Sequence, residues 1–361
     1  MTRHPAGDPI TVVGGGIFGL ACAVTLAQRG AGVRLVERDR IGAGSSGGHV
    51  GALAPHVPEQ WNDKKQVQLD SLLAAGAFWA EVAQAGGRDP GYACSGRVQP
   101  LPDDQAVARA HDRAAGAADL WQGRAEWRVL ARKDLAPHLP EGLIPPSPTG
   151  LYVFDTLSAR ISPRAAGQAL AAALRALGGR IDIDPDFPEA PRPGMGRTLW
   201  ATGAAGLDAL SRQIGRPVGA GIKGQSALLA HTAPSSAQVF VDGLHIVPHA
   251  DGTTAIGSTT ERDFADLATD ARLEDLIVRA RAACPALADA PVIDRWAGAR
   301  PRARSRAPML GDWPGHPGHV IANGGFKIGV GMAPGVAAMI ADLMLDGHDR
   351  IPADFRVAAS L

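Results

Sequence analysis

Residues 10–37 constrain the chain most. They read ITVV, GGGIFG and LACAVTLAQ and then, after Arg29 and Gly30, VRLVE. A short apolar run, a glycine-rich turn, an alanine-rich segment and a second apolar run predict a strand, a helix and a second parallel strand, with Glu37 closing that strand. Gly14, Gly16 and Gly19 have GxGxxG spacing. The first glycine allows the tight turn, the second lets backbone approach a pyrophosphate, and the third lets the helix pack on the strand. The helix N-terminus stabilises phosphate charge, and Glu37 is placed to accept hydrogen bonds from the ribose hydroxyls of an adenosine. A chain that starts this way is expected to build an α/β fold around a dinucleotide.

Composition narrows the class. With 45% hydrophobic residues the chain can bury a core for one large or two ordinary domains. The 36 basic residues balance the 36 acidic ones, so no global field marks a nucleic-acid or membrane surface. Cys22, Cys94 and Cys284 are far apart and lack CxxC spacing, which excludes a disulfide framework and a clustered zinc site; no metal is expected, and a reducing cytoplasmic location fits. Residues 10–27 carry no charge and approach the length of a membrane span or export signal. Gly14, Gly15, Gly16 and Gly19 interrupt them, and no small-residue cleavage site follows before Arg29, Arg34 and Glu37. The apolar residues 320–341 are broken by Asn323, Lys327 and Pro334, so no transmembrane segment is expected.

Further along, residues 40–55 (RIGAGSSGGHVGALAP) follow the ribose acid and carry apolar Val50, Ala52 and Leu53 beyond the glycines, as a loop lying along a cofactor would. Helical patterns are expected at 69–85, 103–122, 163–177 and 273–283, and a strand at 127–130. The segment 185–197 reads as loop, and TLWATG (198–203) as a buried strand ending on glycine, a second place where backbone can reach a cofactor. Strands at 222–230, 238–248 and 254–259, with a turn at Ala250, Asp251 and Gly252, predict a separate antiparallel sheet. In the tail a strand enters a glycine-rich loop, and a helix is expected to start near Pro334.

Together these segments resemble the FAD-dependent amino-acid and amine oxidoreductases that include glycine oxidase, D-amino-acid dehydrogenase and sarcosine oxidase. The resemblance spans most of the chain. It rests on GGGIFG with Glu37, GAGSSGGHVGAL, LWATGAAG, KGQ (223–225), HIVPHADGTTAIGST (245–259), GARP (298–301) and GGFKIGVGMAPG. It implies a Rossmann-like FAD-binding domain from residues 1–85, 150–215 and 300–361, and a substrate domain with an antiparallel sheet from residues 86–149 and 216–299. It implies FAD contacts at Gly14, Gly16, Gly19, Glu37 and Arg38, at Ser45, Ser46, His49, Val50, Gly51 and Leu53, and at Ala201, Thr202 and Gly203. The closing loop Gly325, Phe326, Lys327, Ile328 and Gly329 would pass the pyrimidine side of the flavin, where a helix N-terminus favours negative charge on the reduced ring.

The same resemblance implies the chemistry. Arg300 holds the position of the arginine in the family's GxRP motif and would pair with a substrate carboxylate through its planar fork. Lys327 stands where glycine oxidases tend to have another arginine, so a cation is kept while bidentate geometry is lost. His245 occupies a place where relatives often present tyrosine; it is a candidate for binding substrate or assisting its deprotonation, because histidine titrates near neutral pH, while an ordinary strand histidine is the alternative. His49 stands where dimethylglycine oxidase has a histidine bonded covalently to flavin and where glycine oxidases tend to have asparagine, so attachment and a plain hydrogen bond are both open. A covalent cysteine of the sarcosine oxidase type is not available, since none follows Cys284.

The implied reaction is oxidation of an amino acid or related amine. Its carboxylate pairs with Arg300, the amine loses a proton, hydride passes from the α-carbon to flavin N5, and water hydrolyses the imine; oxygen or another acceptor then reoxidises the flavin. Two other readings stand beside it. Residues 60–150, in DSLLAAGAFWAEVAQAGG and SGRVQPLP, are also similar to the FAD domain of a tRNA wobble-uridine modification enzyme, although the neutral charge speaks against nucleic acid as a partner. The other reading is a flavin-binding subunit of a hetero-oligomeric opine or sarcosine oxidase; the oligomeric state, homo- or hetero-, stays open.

Overall fold

The computed structural model describes residues 9–361. Residues 1–8, assigned above to the first piece of the FAD-binding domain, lie outside the described residues. In chain order the elements are β1 (Ile10–Val13), α1 (Ile17–Gln28), β2 (Val33–Glu37), β3 (Ala52–Leu53), α2 (Asp63–Gly86), β4 (Arg97–Pro100), α3 (Asp104–Trp121), β5 (Trp127–Ala131), β6 (Leu151–Asp155), β7 (Ala159–Arg160), α4 (Pro163–Ala176) and β8 (Arg180–Ile183). They continue with β9 (Thr198–Trp200), α5 (Gly203–Ile214), β10 (Gly219–Leu229), β11 (Gln238–Val241), β12 (Leu244–Pro248), β13 (Thr254–Gly257), α6 (Ala271–Ala283), β14 (Val292–Ala303), β15 (Met309–Asp312), β16 (His319–Asn323) and α7 (Gly329–Ala341).

Two sheets organise the molecule. The first has the order β15-β16-β9-β1-β2-β8 and is parallel except for the pair β15–β16. Its inner strands β1, β9 and β16 are short and largely buried, as strands covered on both faces must be, while β8 (RIDI) is a partly exposed edge. Helix α1 carries no charge and is buried on most of its surface against α4 and α7, so the segment that looks membrane-like in sequence is a core helix. The stretch Gly329–Asp346, which includes α7, is long and apolar enough to cross a membrane; here α7 packs against α1 and α2. The second sheet has the order β14-β10-β13-β12-β11-β4-β6-β5 and is antiparallel except for β11–β4. Its outer side is covered by α6, whose Leu273, Leu276 and Ile277 join the core with Ile246 and Ile256.

Several expectations need correction. The predicted boundary at residue 150 places β6 in the FAD domain, but β6 pairs with β4 and β5 in the large sheet, because its Tyr152 and Phe154 bury in that sheet's core. The expected strand 238–248 is a hairpin, β11 and β12, that turns at Asp242 and Gly243, both at positive φ. The arginine-rich GARP segment lies inside β14, a strand the sequence did not reveal. Its Pro301 fits because β14 is the sheet edge, where a missing N–H faces outward. Helix α7 starts at Gly329, with Pro334 inside it; packing on α1 and α2 outweighs the loss of one helical hydrogen bond.

The crossing at the head of the first sheet is the tightest part of the fold. Gly14 has φ +112°, and a Cβ there would lie 2.4 Å from the Ala201 carbonyl oxygen. A Cβ on Gly19 would lie 2.0 Å from the Gly14 carbonyl oxygen. Strand β1, strand β9 and helix α1 therefore meet at backbone distance. We expect Gly19→Val to cost about 1–3 kcal/mol through this overlap, seen as a lower Tm in thermal unfolding; an unchanged Tm contradicts the packing described.

Candidate active site

A cavity of about 640 Å³ is lined by the C-terminal ends of β1, β2, β9 and β16 and by residues of β10, β11, β12 and β14. It opens where β1 has β2 on one side and β9 on the other, the switch point at which open α/β sheets bind ligands. The ends of the cavity differ chemically.

At the first end, Glu37 closes β2 and its Oε2 accepts from the Gly15 N–H at 2.6 Å, while Oε1 accepts from the Asp39 N–H at 3.0 Å. The carboxylate is thus fixed at the cavity wall with lone pairs left for ribose hydroxyls. Asp184, Phe187, Pro188 and Glu189 close this end from the segment after β8. Arg38 reaches across to Glu189 at 2.8 Å, and the Arg34 guanidinium lies over the Phe187 ring. These covering residues were missed in sequence, where 185–197 reads only as loop.

Next comes the N-terminus of α1. It has no side-chain cap of its own. Instead the Ile17 N–H donates to Ser46 Oγ at 2.9 Å, so the loop after β2 is tied to the helix start and the Ser46 hydroxyl hydrogen remains available to a phosphate. Thr202 lines the same cavity, while its hydroxyl is buried and without a partner. Asn323, also missed in sequence, donates from Nδ2 to the Gly203 carbonyl at 2.8 Å and accepts from the Gly324 N–H, which fixes both glycine turns at the cavity wall.

His49 sits deeper. Its Nδ1 lies 3.1 Å from Ser226 Oγ and its Nε2 lies 3.2 Å from Asp294 Oδ2. Burial, opposed by Asp294 and helped by Arg164, holds the imidazole below its usual titration range. In the neutral ring Nε2–H donates to the carboxylate and Nδ1 accepts from the serine, so both nitrogens are engaged. His249 donates from Nε2 to the His49 carbonyl at 2.9 Å, fixing the backbone of the same loop.

The far end is cationic. Arg300 on β14 is buried, and its guanidinium lies over Gly224 of the neighbouring strand, where a Cβ would stand 2.0 Å from Nη2. The glycine of the KGQ motif is therefore room for an arginine. Arg300 Nη1 donates to the Thr259 carbonyl at 3.1 Å. Burial lowers the Arg300 pKa to about 10, with Glu261 opposing the shift. Thr259 is held in turn: its hydroxyl donates to Glu261, which also takes Gln225 Nε2 at 2.9 Å and Arg272 Nη1 at 2.8 Å. Lys327 lines the cavity beside Arg300, its ammonium pulled down by burial and then by Arg300 and Arg302.

His245 on β12 also lines this end, with Nδ1 buried and unpartnered. Burial, reinforced by Arg97 and Lys327, pushes its pKa down to about 3. This corrects the expectation of a histidine that titrates near neutral pH: the ring is neutral across the physiological range. Of the predicted contacts, Leu53 and Ile328 do not line the cavity. Leu53 is buried in the core, and Ile328 precedes α7 and packs against the same core. Gly19 serves helix packing. The other predicted site residues line the cavity, joined by Phe240, Ser258 and Trp296. Among the described residues no cluster of three metal-ligating side chains occurs.

A carboxylate for ribose, an uncapped helix start for pyrophosphate and a cation-rich chamber on a second sheet define a dinucleotide-dependent oxidoreductase of two sheets. The family model for FAD-dependent oxidoreductases (DAO) matches residues 9–343, and the chain belongs to that family. The cavity residues fit FAD, the family's cofactor. Among curated proteins, glycine oxidase of Pseudomonas aeruginosa is 28% identical, covering 98% of this chain and all of that one. The crystal structure of glycine oxidase from Geobacillus kaustophilus superposes with a TM-score of 0.83 at 21% identity, covering 96% of this chain and 97% of that one. Iminodiacetate oxidase from Chelativorans superposes with a TM-score of 0.78 at 20% identity, covering 96% and 98%.

Two outcomes follow from the histidines. With both nitrogens of His49 engaged, we expect acid precipitation to release all FAD into the supernatant; a flavin-bearing tryptic peptide containing His49 contradicts this. For His245 the folded pKa is far below the ordinary 6.5, so the unfolded state takes up the proton first. Stability from keeping the ring neutral is complete above about pH 6.5 and declines as pH falls toward about pH 3. His245→Gln should therefore lose less Tm than the native protein between about pH 7 and about pH 5; equal losses contradict the assignment.

Proposed function

We propose that the protein oxidises the CH–NH group of an amino acid or N-substituted amino acid, with the α-carbon giving up hydride, as in the oxidative deamination carried out by glycine oxidases. The observation that carries this reading is Arg300, a buried guanidinium at the end of the FAD cavity with a single carbonyl partner inside the chain. Its remaining N–H groups form a fork that matches a carboxylate. Bound FAD supplies the two-electron acceptor, and water hydrolyses the resulting imine to a keto acid and ammonia or an amine. Dioxygen is the acceptor we assign, supported by the likeness to glycine oxidase.

The chain's own residues then do three things. Arg300 fixes the carboxylate, and Thr259 with Glu261 behind it fixes Arg300, so the α-carbon is aligned before reaction. His245 is neutral at about pH 7, so a ring nitrogen facing the cavity can accept from an amine N–H. Lys327 adds positive charge at the loop before α7, where negative charge develops on reduction.

Arg300→Met should lower kcat/KM for the best carboxylated substrate by about a hundredfold or more, while the protein still purifies with FAD. Arg300→Lys should recover part of this. Gly224→Ala should raise KM without removing any charge, because the new methyl displaces the guanidinium. Native efficiency in Arg300→Met, measured by stopped-flow flavin reduction, contradicts the assignment.

A further inference from the structure

The cationic end of the cavity holds more positive charge than one carboxylate neutralises. Arg300 and Lys327 both line it, and among the described residues neither has a carboxylate within 4.0 Å. Arg302, next to them over the Phe326 ring, is likewise outside any ion pair among the described residues. The neighbouring charges are paired mostly among themselves, with one carboxylate in excess behind Arg300. Behind Arg300, Glu261 and Asp270 face Lys223 and Arg272, with Asp266 at the exposed edge. Below His245, Arg97 is paired with buried Asp155 at 3.0 Å. On the His49 side Asp294 is held by Arg164 at 2.6 Å. His245 adds no positive charge. Two cations on separate elements, β14 and the loop before α7, thus face one chamber with no carboxylate in contact, and Glu261 behind Arg300 offsets their charge only in part.

Like charges that share a desolvated chamber repel, and an anionic ligand relieves this in proportion to its own charge. An amino acid bound as its free amine brings one negative charge, which the Arg300 fork takes up. Lys327 presents a single ammonium, a point charge suited to a second carboxylate that approaches at another angle. We propose, resting on the amino-acid reading above, that the preferred substrate is a dicarboxylate amine: one carboxylate on Arg300, the second on Lys327, and the oxidised C–N bond between them. The second carboxylate can sit on the side chain of an acidic amino acid or on an N-carboxyalkyl group.

The test uses the FAD-loaded protein and two probe sets. Iminodiacetate and both enantiomers of aspartate are compared with glycine, sarcosine and both enantiomers of alanine for anaerobic flavin reduction. The non-reacting anions succinate and acetate are compared by their perturbation of the flavin spectrum. We expect at least one dicarboxylate amine to exceed every monocarboxylate in kcat/KM by about tenfold or more, and succinate to bind more tightly than acetate by a similar factor. The two arms of the first set distinguish an N-carboxyalkyl substrate from an acidic side chain. Lys327→Met should shrink both ratios toward one, whereas Arg300→Met should weaken both classes of ligand.

If glycine, sarcosine or alanine equals or exceeds all dicarboxylates, the dicarboxylate proposal is overturned and the amino-acid reading stands. The proposal is equally overturned if Lys327→Met weakens succinate and acetate alike, which would assign Lys327 to the cofactor alone. If no amine in either set reduces the flavin, the amino-acid reading falls and takes the proposal with it.

Discussion

Arg300 is a guanidinium removed from water and left with one carbonyl acceptor, and the surrounding structure is arranged to tolerate it. The pairing of β10 with β14 sets Ile222 opposite Arg300 and Gly224 opposite Gly298, so the side chain leans along the sheet over the one residue that offers it room. Gln225, Thr259, Glu261 and Arg272 form a hydrogen-bonded layer that fixes the carbonyl it touches. A network of this kind holds geometry because loss of any member leaves a buried polar group unpaired. The guanidinium is held in place with N–H groups to spare, and Glu261 offsets its charge only in part.

The two sheets divide the work. The parallel sheet carries the turn at Gly14 and the start of α1, while the antiparallel sheet carries His245, Trp296 and Arg300 at the cavity wall. They meet at one cavity because β14 delivers Trp296, Arg300 and Pro301 to it, and Phe326 N–H donates to the Pro301 carbonyl at 3.0 Å. That hydrogen bond joins the antiparallel sheet to the loop bearing Lys327. The backbone segments that carry the two cations are thus tied together.

What the sequence revealed and what it hid divide along the range of the interactions. The strand, turn and helix around Gly14 were legible because their chemistry lies within 28 consecutive residues, and Glu37 followed at the expected spacing. Arg300 was legible through GARP, although the strand that carries it was not, since the charged residues and Pro301 of VIDRWAGARPRA mask any apolar alternation. The covering segment with Phe187 and Glu189 was invisible because it reaches the cavity only through the pairing of β8 with β2. The sequence could not give the titration of His245, because that depends on burial, on Arg97 and on Lys327, none of them near it in sequence. Leu53 and Ile328 adjoin true cavity residues, and strand alternation for one and helix entry for the other turn their side chains to the core.

The most direct measurement is a crystal structure of the FAD-loaded protein with a non-reacting dicarboxylate. We expect the pyrophosphate at the start of α1, the adenosine ribose on Glu37, and one carboxylate on the Arg300 guanidinium with the other turned toward Lys327. FAD bound elsewhere, or a carboxylate that leaves Arg300 paired only with the Thr259 carbonyl, contradicts this.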